Sequence, residues 1–159
     1  MDETSVRLVI RITARISLLL FLGAFAGPAL ALLRPAGRTR WLERQRGRLL
    51  VGLAASHTAH LGAIAALATV THGGSLRQPG MAVTILGGGV AYLFIYAMAA
   101  TARTWSSHGR LHTIGMYYVW LIFFLSYGLG TFQSLFYLLF ALLLLAALIV
   151  RLCAKPARI

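Results

Sequence analysis

Acidic residues are nearly missing from this sequence. Of its 159 residues only Asp2, Glu3 and Glu43 carry a carboxylate, and none of the three falls within an apolar run. That excludes the intramembrane carboxylate pair on which proton-coupled carriers depend, and a zinc protease motif, which needs a glutamate between helical histidines. Cysteine is as scarce: Cys153 is the single one, so no internal disulfide can form. Its place near a helix end leaves two readings, a bystander thiol or an acylation site. There is no Gly-rich phosphate cradle. No stretch between the apolar runs is long enough to hold a soluble core.

Charge of either sign is sparse. Only 11% of residues are charged and 59% are hydrophobic, with a mean hydropathy of +0.80. A water-soluble domain carries about 25% charged residues. The apolar residues come in continuous runs rather than alternating ones, which selects helices over a barrel. A helix needs about 20 such residues to cross a bilayer. The sequence therefore predicts an all-α integral membrane helical bundle, a single domain over 1–159 with about five transmembrane helices. The spans are expected at about 16–33, 49–71, 81–101, 112–128 and 132–152.

The fifteen basic residues give a net charge of +12, and their placement assigns that charge to membrane surfaces rather than to nucleic acid. The loop 34-RPAGRTRWLERQRGR-48 holds six arginines, 102-ARTWSSHGR-110 holds two, and the tail 151-RLCAKPARI-159 holds three basic residues. The loop 72-HGGSLRQPG-80 holds one arginine and 128-GLGTFQS-134 none. Basic loops stay inside, so the first and third loops and the C-terminus are expected in the cytoplasm, against anionic lipids, with the N-terminus outside. Such a chain fits a bacterial inner membrane. Arg7, Arg11 and Arg15 run against this order. Spaced by four, they line one face of 5-SVRLVIRITAR-15, which reads as an amphipathic surface helix or as a basic extension of the first span. The triplet 29-ALA-31 resembles a signal-peptide cleavage site, but a long core, Pro28 and the arginine-rich stop point to a retained span.

Within the spans the ionisable groups are histidines. In 49-LLVGLAASHTAHLGAIAALATV-70, His57 and His60 share one side of the helix, roughly 12 and 17 Å deep at 1.5 Å per residue. Gly52, Ser56 and His60 form a small-residue stripe that admits another helix or a flat cofactor. His112 stands at the mouth of the fourth span, with Trp105 seven residues before it and Gly115 on the same face. The third span carries 87-GGGVAYLFIY-96, where Gly88 and its neighbours permit either close helix contact or space for a porphyrin, and where Tyr92 and Tyr96 share a face. His72 reads as interfacial and His108 as a solvated loop residue. Imidazole without carboxylate has two readings. It can be polar glue between helices, or it can ligate haem iron from facing helices.

Taken together, 48-RLLVGLAASHTAHLG-62, 97-AMAATA-102 and 105-WSSHGRLHTIGMYYVW-120 resemble the ferric reductase-like transmembrane domain over about residues 14–128. The resemblance implies b-type haem held by paired histidines, here His57 or His60 with His112, and the histidine missing from the later helix limits it to one. It implies one-electron relay across the membrane, fed by a redox partner protein because no flavin site is legible. The sequence departs from that pattern on the helix after His112. There Leu125, Ser126 and Tyr127 stand where the family has a further histidine. The alternative is a non-catalytic membrane subunit or scaffold whose histidines only make interhelical hydrogen bonds.

Overall fold

A computed structural model of the chain describes residues 2–73, 81–102, 109–130 and 134–154, with side chains at 81–84 excepted. Its elements are α1 (Glu3–Leu33), α2 (Gly37–Arg44), α3 (Arg46–Val70), α4 (Met81–Ala100), α5 (Arg110–Gly128) and α6 (Leu135–Cys153). All the described elements are helical. Four of them, α1, α3, α5 and α6, are long and apolar enough to cross a membrane, and α4 is apolar over Ile85–Ala100. The chain is an integral membrane helical bundle. Trp105 and His108 lie outside the described residues.

The helix α1 is longer than the span expected from the sequence. Its 31 residues extend about 46 Å, well past a hydrocarbon core of about 30 Å. The segment 5–15 is the basic extension of that helix, with Arg7, Arg11 and Arg15 all exposed along it. Asp2 caps it: the carboxylate accepts from the Ser5 hydroxyl at 2.6 Å and the Ser5 amide at 3.3 Å, which holds its pKa below the usual range. Arg7 pairs with Glu3 one turn earlier. Pro28 sits inside the helix without ending it.

The loop 34–48 contains a helix the charge pattern hides. Thr39 makes the turn into α2, its hydroxyl donating to the Arg34 carbonyl at 2.7 Å and accepting from the Ala36 amide at 3.0 Å. α2 lies on the bundle end with Trp41 exposed. Its anchor is Leu42, seated over two glycines of α1. A Cβ on Gly27 would come 3.2 Å from Leu42 Cγ, and one on Gly23 would come 3.2 Å from Leu49 Cδ1. At its other end α3 stops with His72 in the left-handed region, φ 48°, followed by Gly73 at φ 78°. The Gly73 amide then reaches the Ala68 carbonyl at 2.8 Å, which closes the last turn. His72 is exposed there, at the span end where the sequence places it.

The long helices form a ring in chain order. α1 pairs antiparallel with α3, α3 with α4, α4 with α5 and α5 with α6, and α6 returns to pack beside α1. The last pair is parallel, since Arg15 covers Phe136 at one end and Arg151 covers Phe25 at the other. α5 also meets α1 across the middle, where Phe21 lies 5.3 Å from Phe123 and Phe25 lies 5.8 Å from Tyr117. Phe21, Phe25, Leu53, Ile95, Met98, Met116 and Leu144 are fully buried around these contacts. Trp120 donates its indole N–H to the Leu144 carbonyl at 2.9 Å, tying α5 to α6. Leu86, Leu93 and Leu135 are 70–81% exposed. Such leucines cost nothing against lipid tails and would be a liability in water. The end holding α2, the starts of α3 and α5 and the end of α6 is called the basic end below.

Candidate functional site

The stripe of Gly52, Ser56 and His60 faces α1. Leu20 of α1 packs on Gly52, with its methyls 3.5 and 3.6 Å from where a Cβ would stand. Ser17, fully buried, donates to Ser56 Oγ at 2.9 Å, and Ser56 donates on to the Thr13 carbonyl at 3.2 Å. His60 Nδ1 lies 3.0 Å from Thr13 Oγ1. The Thr13 hydroxyl has one proton, and the Val9 carbonyl at 2.8 Å takes it. His60 then donates from Nδ1, and its neutral ring keeps an acceptor at Nε2. Thr13 and Ser17 thus answer His60 and Ser56 with the same spacing of four. That complementary spacing is the sequence signal that could have found the two α1 residues.

His57 is one turn away and differently placed. Its ring sits 4.8 Å from Tyr92, 5.7 Å from Phe123 and 5.8 Å from His60. The Tyr92 hydroxyl donates to the His57 carbonyl at 3.0 Å, and Tyr96 meets Thr58 at 2.8 Å. The tyrosines spaced by four on α4 therefore grip α3. His57 Nδ1 itself is buried with no hydrogen-bond partner among the described residues. An unsatisfied buried polar atom costs about 1–3 kcal/mol.

His112 is fully buried at the basic end, its Nε2 3.1 Å from Thr101 Oγ1. The Thr101 hydroxyl also reaches the Ala97 carbonyl at 2.7 Å, so it follows the pattern of Thr13. One turn on, Gly115 sits under Phe94 and Met98 of α4. Gly87 faces Ile122, whereas a Cβ on Gly88 or Gly89 would meet nothing within 4 Å. The glycine run therefore provides one helix contact, not three.

These positions test whether a haem fits. His112 meets Thr101 at the end of α4, whereas the His57 carbonyl accepts from Tyr92, nine residues earlier on that helix. Nine residues of helix rise about 14 Å, which separates the levels of the two histidines. One iron cannot take both. His57 and His60 project side by side from a single helix with rings tilted by 33°, so they cannot flank an iron either. Two cavities, of about 240 and 470 Å³, lie at the basic end and neither is lined by a histidine. A bis-histidine haem does not fit this arrangement.

What the arrangement does provide is helix adhesion. Thr13→Val and His60→Ala should each lower stability in detergent. A double-mutant cycle between them should return a coupling of about 0.6 kcal/mol, within the range up to about 1.7 known for interhelical bonds in lipid. Zero coupling in thermal or denaturant melts would mean that the two groups do not share a bond. Comparison of the chain with protein-family models, with curated proteins and with solved structures finds no match.

Proposed function

We propose that this chain is a non-catalytic integral membrane subunit or scaffold whose intramembrane histidines serve helix contacts. The observation that carries this reading is the occupant of the small-residue stripe. Gly52, Ser56 and His60 could admit a flat cofactor or a helix, and α1 fills that seam through Leu20, Ser17 and Thr13. The same logic applies at His112, where Thr101 takes the imidazole and Gly115 receives α4. A protein partner in the membrane would use the exposed apolar faces. The reading puts the basic end in the cytoplasm, against anionic lipid, because arginine-rich loops stay inside, and takes the membrane to be a bacterial inner membrane.

The electron-relay reading, with haem b and a redox partner, keeps one specific support. His57 Nδ1 is a buried imidazole nitrogen with nothing bonded to it among the described residues. An absorption spectrum separates the two readings. Protein expressed with haem precursor and purified in mild detergent should be colourless, before and after dithionite, and should stay so on haem titration. A Soret band that shifts on reduction would overturn the scaffold reading. Under the scaffold reading, His57→Phe removes an unsatisfied atom and keeps the ring contacts, so melts should show stability equal to or above the parent.

A further inference from the structure

The smaller of the two cavities, about 240 Å³, opens at the basic end where three helices converge. α2 ends at Arg44 and α3 begins at Arg46, with Gln45 alone between them. That sharp corner leaves a recess walled by Glu43, Arg44, Arg46 and Gly47, with Pro28 of α1 and Ala102 after α4 opposite. Gly47 lets the start of α3 approach α4 closely, since a Cβ there would lie 3.4 Å from the Ala102 carbonyl.

Among the described residues that line the recess, Arg44 and Arg46 stand against one carboxylate, Glu43. Behind Arg46 stands Arg151, close enough to interact with it electrostatically. Arg151 cannot swing away, because its guanidinium donates to the Phe25 carbonyl at 2.7 Å and lies over the Phe25 and Tyr117 rings. Arg46 is partly buried. Like charges held together at a partly desolvated site are costly unless an anion joins them. The guanidinium fork matches phosphate oxygens in a bidentate manner. The volume falls below the roughly 300–1,000 Å³ of sites for drug-sized ligands, which suits a headgroup fragment and not a whole cofactor. Leu50 and Pro28 supply an apolar flank beside it.

We propose that this recess binds a phosphate-bearing anion on Arg46 and Arg44, supplied by the headgroup of an anionic phospholipid or by phosphate in solution. The full chain, purified in detergent, would be titrated with phosphatidylglycerol, with phosphatidylcholine and, separately, with inorganic phosphate. Bound copies would be read by native mass spectrometry. The expected result is a preference for phosphatidylglycerol over phosphatidylcholine that falls about tenfold in Arg46→Gln, as loss of one charge-assisted pair would give. Arg38→Gln, on α2 but outside the recess, should keep the full preference. If inorganic phosphate binds, and Arg46→Gln abolishes that binding, the site stands with a soluble anion as its ligand. Should Arg46→Gln fail to fold, Arg44→Gln on the exposed rim and Arg46→Lys, which keeps the charge and loses the fork, carry the same comparison. Equal binding of both lipids, or a preference unchanged by the Arg44 and Arg46 variants, would overturn the proposal.

Discussion

Gly115→Val should cost about 3 kcal/mol and Gly115→Ala about 1, the span expected when methyl groups are forced into a filled contact. The site leaves no room. A Cβ at Gly115 would stand 3.0 Å from Phe94 Cδ1 and 3.1 Å from Met98 Sδ. Met98 is fully buried, and the Phe94 ring is held against Tyr118 at 5.4 Å, so neither neighbour retreats easily. Valine adds two more methyls at the same point. The cost should appear as a lower melting temperature in detergent and a smaller monodisperse fraction. Gly88→Ala is the control, because its Cβ would enter open space. It should be neutral or stabilising, by up to about 1 kcal/mol, through helix propensity alone. Equal effects at the two glycines would mean that α4 and α5 do not meet along the face that carries Gly115.

The contrast between Gly115 and Gly88 also marks how far the sequence could be read. Composition and run length are enough for the spans, because a helix in lipid needs little more than about 20 apolar residues. The spans expected at 49–71, 81–101 and 112–128 differ from α3, α4 and α5 by three residues or fewer at each end. Two elements were not legible. α2 carries no apolar run, and its single anchor, Leu42, matters only because Gly23 and Gly27 of another helix receive it. The continuity of α1 through 5–15 is not fixed by the sequence, because three arginines spaced by four suit a surface helix and a helix extension equally.

Rotation of helices about their axes is also invisible to hydropathy. The stripe Gly52–Ser56–His60 was legible as a seam, but its occupant was not, since Thr13 and Ser17 look like ordinary polar residues until they face Ser56 and His60. The ferric reductase-like resemblance rests on the stretches 48–62, 97–102 and 105–120, none of which fixes how the helices turn toward one another. That His57 lies deeper than His112 is already legible from helix rise; the structure adds their partners, Tyr92 and Thr101, nine residues apart along α4.

Arg151→Met should lower stability by about 2–3 kcal/mol, mainly through the lost charge-assisted hydrogen bond. The guanidinium of Arg151 joins the end of α6 to α1 and α5 at once. It donates to the Phe25 carbonyl at 2.7 Å and lies 4.5 Å from the Phe25 ring centre and 5.3 Å from that of Tyr117. Each ring adds about 0.5–1 kcal/mol where the cation is partly desolvated. Methionine keeps the apolar stem and removes the charge, so packing loss does not dominate the comparison. One effect opposes the loss: Arg151 repels Arg46, and removing it relieves that repulsion. The bond should win, because it acts at contact distance while the repulsion is weakened by the intervening solvent and by Glu43. Arg151→Lys should recover only part of the stability, since an ammonium cannot both donate to the carbonyl and stack on two rings. Melts of Arg151→Met, Arg46→Gln and the double variant in one detergent give the coupling directly. The double variant should be less stable than the sum of the single effects predicts, because each single variant already relieves the same Arg46–Arg151 repulsion and the sum counts that relief twice. With phosphatidylglycerol present the repulsion should be neutralised, and the cost of Arg151→Met should rise. A variant that melts with the parent would remove Arg151 as the tie between α6 and the rest of the bundle.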